Sequence, residues 1–430
     1  MRDGSARLVG GSGPTSAAGV SPAALLGDSI ADRLRAARPD AIVLALSIKD
    51  RGTLFGAGRT PNAGLWWDKR SASFMTSTAY ADALPAWAAK PDLRGTWRPL
   101  DKRWVEARAG TRDAAAGEGD LGGFGVAFPH ALSRSKQPAD AFRVDPRSDE
   151  TVLAMAVEAL RAEAAPGRPV LLAVSLSAND YIGHAFGPDS FEAWDGLARL
   201  DAALRRFLSG LDERFGPDGW SLVLSADHGI VTMPEAASRR TQPWCASAEP
   251  DRWERPCGPG VRLDPEAMTK ILREVVGTDA IAGVAEPYVY LAKGLDGPRR
   301  RQVVSEVTRR LRAMPGVADA IDVGSLPASC PDGESVAALV CRSVFPGRGG
   351  DLYVVPARGS FFDAGMVVGK GSNHGTPYLY DRSVPLLVRA PGRADAGRIV
   401  DGPVPYTAFS RALAVLLGLE SPRSGDLVPR

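Results

Sequence analysis

Four histidines are spread over 430 residues, and three of them stand beside groups with which they could hold a metal ion. Asp180 and His184 are four apart, so one helical turn places a carboxylate and an imidazole on the same side. Asp227 and His228 are adjacent and precede Gly229. Where a strand ends and the chain turns, such neighbours can address a metal pair from two directions. His374 lies in Gly371-Ser372-Asn373-His374-Gly375. Two aspartates and three histidines form a nitrogen and oxygen donor set that zinc accepts. His130, in Phe128-Pro129-His130, has no such companion and reads as a structural or surface histidine. Lysine is also scarce, eight against 44 arginines, and one falls in Ser47-Ile48-Lys49-Asp50-Arg51. In extended backbone Lys49 and Arg51 point one way and Asp50 the other. A point charge and a planar fork then face an anion with several oxygens.

These residues need strand ends to hold them. Short apolar, β-branched runs at Ile42–Leu46, Val170–Val174, Ser221–Leu224 and Val384–Val388 alternate with helical periodicity. That pattern predicts an α/β fold, a doubly wound, mostly parallel sheet with helices on both faces and ligands at the strand ends. Trp194, Leu197, Leu200, Leu204, Phe207, Leu208 and Leu211 mark one face of a helix closed by Gly216 and Pro217. Tyr406–Leu417 reads as a C-terminal helix on the same sheet. The whole chain, 1–430, reads as one such domain with two interruptions. Residues 52–150, rich in Gly, Pro and Trp, including Trp97 and Trp104, are expected as a loop-rich insertion near the site. Residues 231–355 are expected as an inserted α+β subdomain: helices at Pro265–Val276 and Arg299–Met314, strands at Tyr288–Leu291, Ala318–Val323 and Leu352–Val355. No internal repeat is evident.

Composition narrows the partners. The chain is 44% hydrophobic and 24% charged, enough for a large core, and its net charge of +2 gives no field that would attract nucleic acid or an anionic membrane. No apolar run approaches the ~18 residues of a membrane helix, and Met1–Leu8 shows no export leader. The cysteines form two close pairs, Cys245 with Cys257 and Cys330 with Cys341, none in a C-x-x-C spacing. They read as short-range disulfides of an oxidising compartment, with free buried thiols as the alternative.

Taken together, Leu46–Arg51, Phe74-Met75-Thr76-Ser77-Thr78-Ala79-Tyr80, Asp180-Tyr181-Ile182-Gly183-His184-Ala185-Phe186-Gly187-Pro188, Ala226-Asp227-His228-Gly229 and His374 resemble the alkaline phosphatase superfamily. The likeness is to its bacterial single-chain phosphate monoesterases, related to type I phosphodiesterases and nucleotide pyrophosphatases. The resemblance implies two zincs. Asp180, His184 and His374 would hold one, and Asp227 and His228 would contribute to the other. It implies in-line displacement through a phosphoenzyme, with Lys49 and Arg51 on the phosphoryl oxygens. The substrates would be small phosphate esters and the location periplasmic or secreted.

The chain departs from the family in one respect. The strand that ends in a metal-binding Asp, and the helix that presents the Ser or Thr nucleophile, do not precede Lys49. Thr15 and Ser16 sit in a small-residue stretch and do not read as that nucleophile. The chain therefore reads as beginning late, its leader lost with the first strand, and its second zinc, two ligands short, as weakly held. Three rivals remain. A sulfatase would need C-x-P-x-R, but Val261 stands where arginine belongs after Cys257-Gly258-Pro259-Gly260. A phosphodiesterase or nucleotide pyrophosphatase would use the same ligands, though a monoanionic diester has less need of two cations. An inactive zinc-binding fragment would fold around one metal without chemistry.

Overall fold

A computed structural model describes residues 2–10, 13–88, 104, 116–239, 245, 254–363, 365–392, 397–400 and 402–420. The chain opens with an antiparallel pair, β1 (Arg2–Gly10) and β2 (Gly13–Val20). Helix α1 (Ile30–Ala37) starts where Ser29 and Asp32 form a capping box. It leads to β3 (Ile42–Ser47), an apolar strand buried at every position, and to α2 (Asp50–Ala57). Strands β4 (Ala63–Asp68) and β5 (Ser73–Ser77) follow. Next come α3 (Pro138–Val144), α4 (Arg147–Glu163), β6 (Val170–Ser175), α5 (Ala178–Phe186) and α6 (Phe191–Phe215).

The main sheet runs in the order β2-β1-β5-β4-β3-β6. Its β4-β3-β6 part is parallel, and the rest is antiparallel. The expected α/β architecture is therefore present, but the sheet is mixed. Strands β4 and β5 come from the stretch expected to be a loop-rich insertion. Their glycine and tryptophans resemble loop composition, yet Ala63 to Trp67 are all buried. Trp97 and most of the stretch around it lie outside the described residues. Strands β7 (Leu222–Ser225) and β14 (Leu386–Arg389), expected as further parallel strands, form a separate antiparallel pair. Among the described residues β6 pairs only with β3, and β7 only with β14.

Helix α6 is where periodicity placed it, capped by Ser190 and ended at Gly216. Its burial is not as expected. Trp194 and Leu197 are more than half exposed, whereas Glu192 and Asp195 are buried. The acids find partners on the core side: Glu192 pairs with His130 at 2.8 Å, and Asp195 accepts from the Trp104 indole at 2.7 Å. A buried polar group with a partner costs little, so these contacts outrank the apolar stripe in the first turns, while Phe207 and Leu211 further along pack on the core.

The α+β unit has a core of its own, built on Leu272, Val303, Val307, Leu311 and Val354. It contains β8 (Arg262–Leu263), α7 (Pro265–Val276), β9 (Ile281–Ala285), β10 (Tyr288–Leu291), α8 (Gly297–Arg312), β11 (Val317–Asp322), α9 (Val336–Ser343), β12 (Leu352–Pro356) and β13 (Phe361–Phe362). Four of its strands form a sheet ordered β11-β12-β10-β9. Asp264 and Asp296, each followed by proline in the first turn, cap α7 and α8. A single helical turn, α10 (Leu379–Arg382), precedes β14, and α11 (Ala408–Leu416) is the expected C-terminal helix. Both expected disulfides are formed, Cys245–Cys257 and Cys330–Cys341.

Candidate active site

Parallel pairing of β3 with β6 is in register from Ile42↔Val170 to Ser47↔Ser175, so both strands end at the same level. Two residues past one end stands Lys49. Five past the other stands Asp180. Lys49 is the N-cap of α2, its backbone N–H bonded to the Ser47 hydroxyl, and its ammonium forms a buried ion pair with Asp180 Oδ2. The same ammonium lies 4.7 Å from the centre of the Tyr181 ring, and the Arg143 guanidinium lies 4.6 Å from it while donating to the Tyr181 hydroxyl. Arg51 goes elsewhere. It is exposed in the first turn of α2, because β3 ends at Ser47 and the helix breaks the two-residue alternation that would have set it beside Lys49.

Asp180 occupies the first turn of α5, and His184 follows one turn later, as their spacing predicts. Asp149 sets the start of this helix. Fully buried, it accepts the backbone N–H groups of Ser177 (2.8 Å) and Ala178 (3.1 Å) through one oxygen. Burial pushes its carboxyl up to about 6, opposed by those two bonds and by the charge of Lys49. Nothing in the sequence around Asp149 signals this role, because it depends on α4 lying against the start of α5.

Three imidazoles converge on Asp180 Oδ1: His184 Nε2 at 3.3 Å, His228 Nε2 at 3.6 Å and His374 Nε2 at 3.8 Å. The ligand atoms of Asp180, His228 and His374 lie within 4.8 Å of one another. His184 Nδ1 donates to the Ser372 carbonyl (3.0 Å) and His228 Nδ1 to the Gly229 carbonyl (2.9 Å). In the neutral tautomers so defined, both Nε2 lone pairs face a carboxylate oxygen. That oxygen is itself buried and has no hydrogen-bond partner. Electron pairs gathered around an anionic oxygen need a cation among them, so the donor set fits a divalent metal. Without one, protons must serve. Burial opposes the charged form of His184, but Asp180 outweighs it and raises its pKa. Burial also opposes the charge on Asp180, yet His184 and Lys49 hold that carboxyl well below the usual range. His374, partly buried and beside His228 and His184, is pushed down to about 3 and so stays neutral.

The loop carrying His374 is seated against α5 at Gly371, where φ is +66° and an added Cβ would lie 1.8 Å from the His184 carbonyl. Asp227 stands at the rim, its side chain mostly exposed and 3.4 Å from His228 Nε2. His228 therefore comes as close to Asp180 and His374 as to Asp227. His130 is wholly buried among Phe124, Phe128, Phe186 and Trp104, which makes it a structural histidine. Thr15 and Ser16 lie on β2, separated from β6 by four strands.

A family model described as type I phosphodiesterase / nucleotide pyrophosphatase matches residues 64–369, well over half of the chain. The chain belongs to that family. Membership bears out the resemblance to the alkaline phosphatase superfamily. Among curated relatives, a protein of Myroides odoratus named calcium-transporting ATPase is 27% identical over 413 residues, 90% of this chain and 71% of that protein. Alkaline phosphatase PhoV of Synechococcus elongatus is 34% identical over 229 residues, 50% of this chain and 41% of that protein. The crystal structure of wild-type alkaline phosphatase PafA superposes with a TM-score of 0.81 at 23% identity, covering all of this chain and 82% of that one. The chain thus spans less than half of the PhoV length, and the PafA likeness establishes the fold. The family match begins after Lys49 and Arg51, which leaves their roles to the geometry.

Proposed function

We propose that the chain is a metal-dependent phosphate monoester hydrolase of the alkaline phosphatase type, its site built for two zinc ions. The observation that carries this reading is the buried, unpartnered oxygen of Asp180 with three imidazole nitrogens turned toward it. Several relatives are named alkaline phosphatases, which supports the same class. Asp180, His184 and His374 would hold one ion, and Asp227 and His228 would contribute to the second. When bound, the metals supply Lewis-acid polarisation and charge for an in-line displacement at phosphorus.

The chain's own residues do the rest. Lys49 places a positive charge where phosphoryl oxygens enter beside Asp180, and Tyr181 holds that ammonium with its ring face. Neutral His374 is ready to donate its lone pair. Arg51, exposed in the first turn of α2, would have to turn inward to contact a phosphoryl oxygen. The nucleophile of the phosphoenzyme step is not assigned to any described residue. That gap favours one second reading, a zinc-binding chain without turnover. A phosphodiesterase would use the same ligands, and the family description keeps it as the rival for substrate class. The disulfides support a periplasmic or secreted location. No helix among the described residues is long and apolar enough to cross a membrane.

The test is metal analysis of the purified chain combined with hydrolysis of an aryl phosphate and a bis-aryl phosphate. Bound zinc with monoester turnover supports the proposal. Zinc without turnover of either ester supports the second reading, faster diester turnover supports the rival, and failure to retain any divalent ion overturns all three.

A further inference from the structure

We infer that Asp381 is a positioning residue that locks the two loops carrying His228 and His374 to each other. Resting on the metal-site reading above, this inference adds a residue that reading does not use. Asp381 is 1% exposed, in the single turn α10. Its Oδ2 accepts from both the backbone N–H (2.8 Å) and the hydroxyl (2.7 Å) of Thr376, two residues after His374. Its main-chain carbonyl accepts from the N–H of Gly229 (2.7 Å), the residue after His228. One residue thus ties both loops within two residues of their histidines. The approach is so close that a Cβ on Gly229 would lie 2.1 Å from the Tyr380 carbonyl, which only glycine permits.

The clamp is itself held from outside the site. The Tyr378 hydroxyl donates to the Pro356 carbonyl (2.9 Å), the Gly359 N–H donates to the Tyr380 hydroxyl (3.1 Å), and the Leu379 N–H donates to Glu254 (2.8 Å). Pro356 ends β12 of the α+β unit, so that unit fixes the position of α10. The result is visible in the site: the rings of His228 and His374 lie 3.3 Å apart and 15° from parallel. The other Asp381 oxygen is buried without a hydrogen-bond partner.

Zinc affinity of the full chain, measured by competition with a chromogenic chelator, and the visible spectrum of its cobalt form test the assignment. Asp381→Ala should weaken zinc by ~10-fold or more, as loss of an outer-shell partner does, and alter the cobalt bands. Asp381→Asn keeps an oxygen for Thr376 and should stay within ~3-fold. Should the alanine variant fail to fold, Thr376→Val, which removes only the hydroxyl bond, carries the test. It should weaken zinc several-fold while lowering the metal-free melting temperature by no more than ~3 °C. Unaltered affinity and cobalt spectrum in folded Asp381→Ala, or in Thr376→Val, overturn the inference alone. No metal binding by the unsubstituted chain overturns the site reading and this inference with it.

Discussion

Replacing Lys49 with alanine should separate what the site needs without metal from what it needs with it. The Lys49 and Asp180 side chains are 8% and 14% exposed. Removing one partner of a buried pair typically costs ~3–5 kcal/mol, because the remaining charge is left uncompensated. Three imidazoles near Asp180 Oδ1 can take up part of that charge, which reduces the expected loss to about 2–3 kcal/mol. At ~2.1 cal/mol/K of melting entropy per residue, a 430-residue chain loses only ~2–3 °C for that change. With zinc present the balance inverts. A divalent ion neutralises Asp180 and is repelled by Lys49, so Lys49→Ala should gain more thermal stability from zinc than the unsubstituted chain does. The pH dependence has a definite sign. The folded pKa of Asp180 is depressed, so its contribution is present above the unfolded value of ~3.9 and lost as pH falls through the folded one. Removing the Lys49 charge raises the folded pKa and moves that loss to higher pH. The assay is differential scanning fluorimetry with and without zinc across a pH series. Equal zinc-induced shifts in the two proteins would refute the view that Lys49 and a metal share Asp180. So would a metal-free variant as stable as the parent.

Three further outcomes follow from the same geometry. Asp149 has a folded pKa of about 6, raised by burial, so its stabilising neutral form is present below the unfolded value and lost as pH rises through 6, at a cost of about 3 kcal/mol. Asp149→Asn should therefore gain melting temperature over the parent at pH 8 but not at pH 4, and an equal difference at both values counts against this. Cys330 and Cys341 are 11 apart, and opening so short a loop should cost about 3 kcal/mol in the chain-entropy account; a Cys330→Ser, Cys341→Ser chain with unchanged denaturant midpoint contradicts it. Trp194 and Leu197 on α6, and Leu387 and Val388 on β14, are each half exposed or more, while among the described residues β6 and β7 each have an unpaired edge. Concentration-dependent self-association is expected in sedimentation velocity, reduced by Trp194→Ser with Leu197→Lys. Monomer at all concentrations is the contrary result.

Individual elements show how far residue order carries. Ile42–Leu46 was readable as a buried strand because a strand covered on both faces leaves a continuous apolar run; Val170–Val174 was readable as a strand, though of its residues only Leu171 is buried. Asp180 and His184 were readable as one helical face because spacing alone sets it. Strands β1, β2 and β9 were not anticipated, and β4 was masked by glycine and tryptophan, since whether such a segment is strand or loop depends on its partner. The first turns of α6 depart from the apolar stripe for the same kind of reason, although Phe207 and Leu211 further along it do pack on the core. Periodicity ranks Trp194 and Leu197 as core, but Glu192 and Asp195 found buried partners in His130 and Trp104 from distant parts of the chain.

What the amino-acid order determines by itself is local and chemical: which residues can bind a metal, which sit one turn apart, which runs must be buried and which cysteines are close enough to pair. What only the tertiary structure decides is convergence. Lys49 and Asp180 are 131 residues apart and meet because β3 and β6 end in register. Arg51, two residues from Lys49, is carried away by the start of a helix. Asp149 and Asp381 have no signature in sequence, because their role lies in backbone groups brought to them from other segments. The donor set was written in the histidine count, but the enclosed, unpartnered oxygen that fits it to a cation exists only once the Lys49 turn and the His228 and His374 loops have been packed against α5 around Asp180, where low dielectric makes unbalanced charge expensive.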